Sequence, residues 1–221
     1  MSIGRWKMCV AMLALGIAAP VAQAAGPWTL SGSLGYVDGY RERTERYGEQ
    51  TYPQTFGATG AWRIGIDHRL AGPWSLGASS GRLRYRRPVY FAVPASDEID
   101  PAPPPGRIDA TFVPVALGLR WQPGAAVSRA RPWLYVAPAV VFARWSETGT
   151  PNDQAFDRAL AGWTAGGGLA FAASDHVRLE AGVSWLGTTD PDREVALPGG
   201  GTRTYHGLGQ AVYGVGIALT P

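Results

Sequence analysis

Gly162-Trp163-Thr164-Ala165-Gly166-Gly167-Gly168-Leu169-Ala170-Phe171 is followed, after Ala172 to His176, by Val177-Arg178-Leu179-Glu180-Ala181-Gly182-Val183-Ser184-Trp185. In the first stretch Trp163, Leu169 and Phe171 share one parity and Thr164, Gly166 and Gly168 the other. In the second, Val177, Leu179, Val183 and Trp185 oppose Arg178, Glu180, Gly182 and Ser184. Side chains on a strand alternate between two faces, so each stretch predicts a strand with one apolar and one polar face. The break between them, around Ala173-Ser174-Asp175, is short enough to turn them into a hairpin. A strand that crosses a bilayer needs about 9 to 11 residues, with lipid on one face and a lumen on the other. Both stretches meet that requirement.

Six further segments repeat the pattern. Trp28, Leu30, Leu34 and Tyr36 oppose Thr29, Ser31, Ser33 and Gly35, and Phe56, Ala58, Trp62, Ile64 and Ile66 oppose Thr59, Arg63, Gly65 and Asp67. Trp74, Leu76 and Ala78 oppose Ser75, Gly77 and Ser79, but the apolar set then shifts to Leu83 and Tyr85, which predicts a bulge near Ser80-Gly81. Val113, Val115, Leu117, Leu119 and Trp121 are expected to face lipid, with Pro114, Ala116, Gly118 and Arg120 inside. The run Trp133 to Trp145 is apolar on both parities, so its faces stay unassigned. Tyr213, Val215, Ile217 and Leu219 oppose Gly214, Gly216 and Ala218. The connections alternate as well. Arg41 to Gln54, Pro88 to Arg107, Ser146 to Ala161 and Thr188 to Tyr205 are long; Ala71-Gly72-Pro73 and Ala173-Ser174-Asp175 are short, with Gln122 to Pro132 between the two classes. The expected fold is an all-β, transmembrane, antiparallel up-and-down β-barrel of eight strands with four long extracellular loops and periplasmic termini. Its alternative, a soluble β-sandwich, would bury its Trp residues instead of placing them near strand ends.

The first residues set the compartment. Arg5 and Lys7 precede an uncharged apolar run from Cys9 to Ala19, and Ala22-Gln23-Ala24 offers a small-x-small cleavage pattern. Residues 1–24 are expected to be a cleaved signal peptide and 25–221 the barrel domain. The run is about half the roughly 20 residues of a spanning helix, and Cys9 lies before it, which disfavours both an anchor and a lipoprotein. Removing Arg5 and Lys7 from the 20 basic residues leaves 18 against 17 acidic ones, a net charge of +1, so no nucleic-acid partner is expected. The 30 Gly, 9 Trp and 9 Tyr beside only 17% charged residues suit tightly paired strands with aromatics at a bilayer boundary.

With eight strands laid out, the chain from residue 25 onward resembles the small outer-membrane barrels, the group of the OmpA membrane domain, OmpX and OmpW. The resemblance is carried best by Gly162 to Phe171 and the Ser174-Asp175 turn into Val177-Arg178-Leu179-Glu180. It implies insertion by the barrel-assembly machinery, and location in the outer membrane in contact with its lipid and lipopolysaccharide. Members differ in role, so it implies fold far better than activity. Such barrels usually end on an aromatic residue, whereas here the alternation runs into Pro221.

Three groups of residues could carry function. Arg63, Asp67, Arg120, Arg178 and Glu180 all point inward on this register. Ions in so narrow a lumen are expected to pair, either as a structural plug or as the lining of a narrow ion path. Arg82, Arg84, Arg86 and Arg87 lie toward the outer end of the third strand, where guanidinium forks match lipopolysaccharide phosphates, or pair with Asp97, Glu98, Asp100 and Asp109. Asp190, Asp192 and Glu194 are read as loop solubility rather than as a metal site, and neither metal nor cofactor is expected. A lipid A-modifying enzyme is the less favoured alternative, since Ala181 to Trp185 lacks the His of a His-x-Ser pair, and His68, His176 and His206 lie at strand ends. The expectation is a non-enzymatic barrel whose loops, including Tyr47, Tyr52, Tyr90 and Phe91, serve adhesion, lipopolysaccharide contact or envelope integrity. A narrow pore or a transporter for small hydrophobic molecules is the alternative, with Pro114 and Pro138 as the places where missing ladder hydrogen bonds could open the wall sideways.

Overall fold

The computed structural model describes residues 28–39, 41–47, 49–89, 106–123, 130–148, 155–189, 193–197 and 201–221. The expected signal peptide and the expectations for Tyr90, Phe91, Asp97, Glu98, Asp100, Asp190 and Asp192 lie outside the described residues. Twelve strands form among them: β1 (Trp28–Val37), β2 (Arg41–Tyr47), β3 (Gln50–Thr55), β4 (Thr59–Arg69), β5 (Trp74–Val89), β6 (Gly106–Trp121), β7 (Ala130–Thr148), β8 (Ala155–Ala172), β9 (Val177–Thr188), β10 (Arg193–Leu197), β11 (Gly201–Tyr205) and β12 (Gly209–Leu219). Eight of them close into an antiparallel barrel in the order β1-β12-β9-β8-β7-β6-β5-β4. These are the eight segments whose alternation the sequence displays.

Alternation also sets which residues meet which medium. On β12, Tyr213, Val215 and Ile217 are at least half exposed, while Ala218 is fully buried. Leu34, Leu117, Leu134, Val136 and Leu179 are likewise exposed, on neighbouring strands around the wall. An apolar belt of this extent is a surface that water disfavours and hydrocarbon accepts. Its upper limit is legible on β5, where Trp74, Leu76, Ala78 and Ser80 share the outer face and Arg82, Arg84 and Arg86 continue it. At ~3.3 Å rise per residue and ~40° tilt, Trp74 to Arg82 spans ~20 Å, close to the height of a membrane barrel's apolar band.

Above that limit the two faces exchange character. Leu83 and Tyr85 on β5, Ile108, Ala110 and Phe112 on β6, and Val141, Ala143 and Trp145 on β7 all point inward and are buried. The bulge expected at Ser80-Gly81 is therefore corrected. Partners run Ser80↔Val115 and Leu83↔Phe112 on one side and Ser80↔Ile64 and Leu83↔Ala61 on the other, in unbroken register. The apolar set changes parity because the outer face leaves the belt while the inner face enters an apolar core, with the backbone unchanged. The same exchange explains β7, whose two parities are both apolar: odd residues from Trp133 to Trp145 face in, and Leu134, Val136 and Val140 face out.

The short turns lie at one end. Gly72, in the left-handed region at φ +58°, allows Trp74 N–H to reach the Ala71 carbonyl at 3.2 Å. Ser174 Oγ accepts from the backbone N–H of His176 and Val177. Thr29 and Thr220 meet there at 3.1 Å, so both ends of the barrel share the short-turn end. The opposite end differs from the expected plain loops. Within the long connections, β2, β3, β10 and β11 form a second sheet, ordered β10-β11-β2-β3. That order repeats the barrel's β9-β12-β1-β4 one storey higher, and its register shift lies between Arg41 and Arg43. At the breaks between the storeys Phe56 and Leu208 turn inward and are buried. Phe56, expected to face lipid, is only 1% exposed because it precedes β4 at such a break and caps the core instead.

Candidate functional site: the lumen and the outer arginine wall

Two layers of inward side chains occupy the lumen. In the lower one Arg120, on β6, lies between two carboxylates: its Nη2 donates to Glu180 Oε1 of β9 at 2.5 Å and its Nη1 stands 3.7 Å from Asp67 Oδ2 of β4. The Arg120 guanidinium also packs over the Trp133 ring at 4.9 Å. The side chains of Asp67, Arg120 and Glu180 are each 11–13% exposed. Gly77 makes room for the trio, because a Cβ there would fall on the Asp67 carboxylate. Arg178 takes a separate place at the short-turn end, donating to the hydroxyls of Thr29 and Thr220 at 3.2 Å each. Arg63 sits over the Tyr135 ring at 4.4 Å, facing a cavity of about 110 Å³ that Ser31, Ser33, Ser79 and Thr164 also line. Of the five inward charges read from the sequence, three form one ion-paired unit and two are held by hydroxyls or an aromatic face.

The upper layer is the apolar core above the belt. Phe56 stands at its centre, with ring centroids 5.5 Å from Tyr85 and 5.7 Å from Trp145, and Tyr85 meets Phe112 edge-on at 6.2 Å. Nothing in the sequence pattern marked this layer as a plug, because inward apolar residues on a membrane strand look like a slip of register.

Each proline is paired on one side and faces a gap in the ladder on the other. Pro114 pairs with Val141 and Pro138 with Trp163, but the β5–β6 ladder skips Gly81 and Arg82 opposite Pro114 and Val113, and the β6–β7 ladder skips Leu117 and Gly118 opposite Pro138 and Ala137, with the register unchanged beyond each gap. The histidines lie at the two ends. His68 packs on Trp28 at 4.3 Å, His176 Nδ1 is 3.0 Å from the Thr220 carbonyl, and His206 Nε2 is 2.7 Å from Thr44 Oγ1.

Outside, Arg82 lies opposite Trp62 at the belt's upper edge. Arg84 and Arg86 converge on Asp109 of β6, with nitrogen–oxygen distances of 3.3 and 2.9 Å, and Arg107 reaches the same carboxylate at 2.6 Å. Arg87 does not join them. Its parity is that of Leu83 and Tyr85, and its guanidinium lies 5.9 Å from the Phe56 ring, so the four arginines between 82 and 87 divide between two faces of the strand. Sequence reading missed Arg107 and Arg144, which come from β6 and β7 and join this outer face only through the register.

No family model matches the sequence, and no curated protein matches it. Among solved structures, the chain is similar to Neisserial surface protein A, with a TM-score of 0.52 at 11% identity over 89% of this chain and 98% of that one. It is also similar to the outer membrane protein OprG from Pseudomonas aeruginosa, with a TM-score of 0.56 at 12% identity over the same shares of the two chains. Likeness at such identities is a likeness of architecture. A closed, antiparallel, eight-stranded barrel with this belt and these neighbours has the fold of the small outer-membrane β-barrels.

Proposed function

We propose that this chain is a non-enzymatic outer-membrane barrel, sealed along its axis, which acts through its outer wall and its long-loop end. The observation that carries the reading is the pair of layers inside, an ion-paired one under an apolar one, within a wall whose apolar belt runs outside. An apolar constriction resists wetting and so opposes ion passage, and the upper layer is such a constriction. The lipid A-modifying alternative needs a Ser, a His and an acid within reach of one another, and the three histidines are dispersed to the barrel's ends. What remains for partners to meet is the basic outer wall and the second sheet, which suits lipopolysaccharide contact, adhesion or envelope integrity. In this reading the short turns and both ends of the barrel are periplasmic, and the second sheet is extracellular.

Cysteine labelling tests location and orientation together, because the chain from residue 25 onward has no Cys of its own. Thr51→Cys, at an exposed position of β3, is expected to react with a membrane-impermeant maleimide in intact cells. Ser174→Cys, in an exposed short turn, is expected to react only after the outer membrane is permeabilised. The reverse pattern would invert the orientation, and labelling of both in intact cells would argue against a spanning barrel.

A further inference from the structure

We infer that the outer face of β5, β6 and β7 is a binding site for the phosphate groups of an outer-leaflet lipid, built from Arg82, Arg84, Arg86, Arg107 and Arg144. The inference rests on the outer-membrane reading above and names the partner of the outer wall. Its base is Asp109, whose side chain is 12% exposed and takes three guanidiniums, from Arg84, Arg86 and Arg107, that are themselves 40%, 53% and 55% exposed. One carboxylate thus fixes three cations in place and leaves them in excess, with donors turned to the outside. A guanidinium offers five N–H donors, so each retains a free edge that matches a phosphate bidentately. Arg84 and Arg144 flank Thr111 from the two neighbouring strands, which places their Cα atoms about 10 Å apart across two strand spacings. Arg144 is 56% exposed and, among the described residues, its ion pair is a long one, 3.9 Å, to a half-exposed Asp157.

The position selects lipid over a free anion. Arg82 stands directly opposite Trp62 at the top of the apolar belt, and below Thr111 the same outer face continues as Val113, Val115 and Leu117. A phosphate held by the arginines therefore has acyl chains laid against the belt beneath it, an arrangement that a free phosphate cannot use. Because the cations are guanidiniums fixed by the protein, the contact does not depend on a divalent ion bridging carboxylate to phosphate.

The test uses the full-length folded protein in neutral detergent and measures co-elution with lipopolysaccharide on size exclusion, in the presence of a chelator. The variant Arg84→Gln/Arg86→Gln/Arg107→Gln is compared with Arg69→Gln, an exposed arginine at the short-turn end, and with wild type. All three are checked for the heat-modifiable mobility of a folded barrel. Wild type and Arg69→Gln are expected to retain lipopolysaccharide, and the triple variant to retain about tenfold less or lower still. Dephosphorylated lipopolysaccharide is expected to bind wild type as weakly as intact lipid binds the triple variant. Equal retention by the triple variant, or no effect of dephosphorylation, would show acyl contact alone and overturn the site. Full displacement of the lipid by equimolar inorganic pyrophosphate would make it a free-anion site and overturn the lipid assignment. Loss of the chelator-resistant fraction in wild type would assign binding to a bridging cation instead. Each of these failures leaves the cysteine-labelling pattern unchanged, so the site can fall while the outer-membrane reading stands.

Discussion

Replacement of Arg120 by alanine is expected to destabilise the folded barrel by about 3–5 kcal/mol, because it leaves two carboxylates, Asp67 and Glu180, in a narrow lumen without their shared cation. Removing one partner of a buried ionic group costs more than the group contributes when complete, since the survivors stay desolvated without a counter-charge. Glu180→Ala is expected to cost less, because Arg120 keeps Asp67 at 3.7 Å and the face of Trp133 at 4.9 Å. Neutralising all three, as Asp67→Asn/Arg120→Met/Glu180→Gln, is expected to recover most of the loss, as replacing a whole buried ionic unit commonly does. Urea unfolding in lipid vesicles reads the series. An Arg120→Ala variant within about 1 kcal/mol of wild type would show that the lumen charges are each solvated on their own.

The second large effect is in the upper layer. Phe56→Ala is expected to cost about 3–5 kcal/mol, as truncation of a buried aromatic does, since Phe56 is 1% exposed and meets both Tyr85 and Trp145. Phe56→Leu keeps most of the volume and is expected to restore most of that stability. The two experiments separate the reading adopted here from the sequence expectation. A lipid-facing Phe56 would tolerate alanine in a vesicle with far smaller loss, because no packed cavity would be left behind.

These residues also show why part of the architecture was legible and part was not. Parity is written into β4, β6 and β9, so Arg63, Asp67, Arg120, Arg178 and Glu180 could be assigned to the lumen from Trp62, Leu119 and Leu179 on the opposite faces. Parity does not say which medium lies on which side. Below Arg82 the outside is apolar and the inside polar; above it the inside is apolar and the outside charged, so Leu83 and Tyr85 read as a register slip and Phe56 as lipid-facing. The same limit hid Arg87 among its outward neighbours. Pairing across strands is a property of register, which loop lengths constrain only loosely. That is why Arg107 and Arg144 joined the arginine wall only in three dimensions, and why the second sheet was read as two long loops. The ion pairs of Arg120 depend on three strands at once, β4, β6 and β9, and sequence could predict that the charges pair but not which does so with which.

On the sealed-barrel proposal, both layers must be breached for ions to cross. Neutralising the Arg120 unit leaves the apolar plug in place, and truncating Phe56 leaves the ion-paired layer beneath it. Single-channel recording in a planar bilayer, with the folded state verified in the same preparation, tests the sealed barrel most directly. Wild type is predicted to leave the membrane at its bare leak, with no steps at either polarity. Discrete openings from correctly folded protein, altered in size or selectivity by Glu180→Ala, would contradict the account and make the lumen, rather than the outer wall, the working part of the molecule.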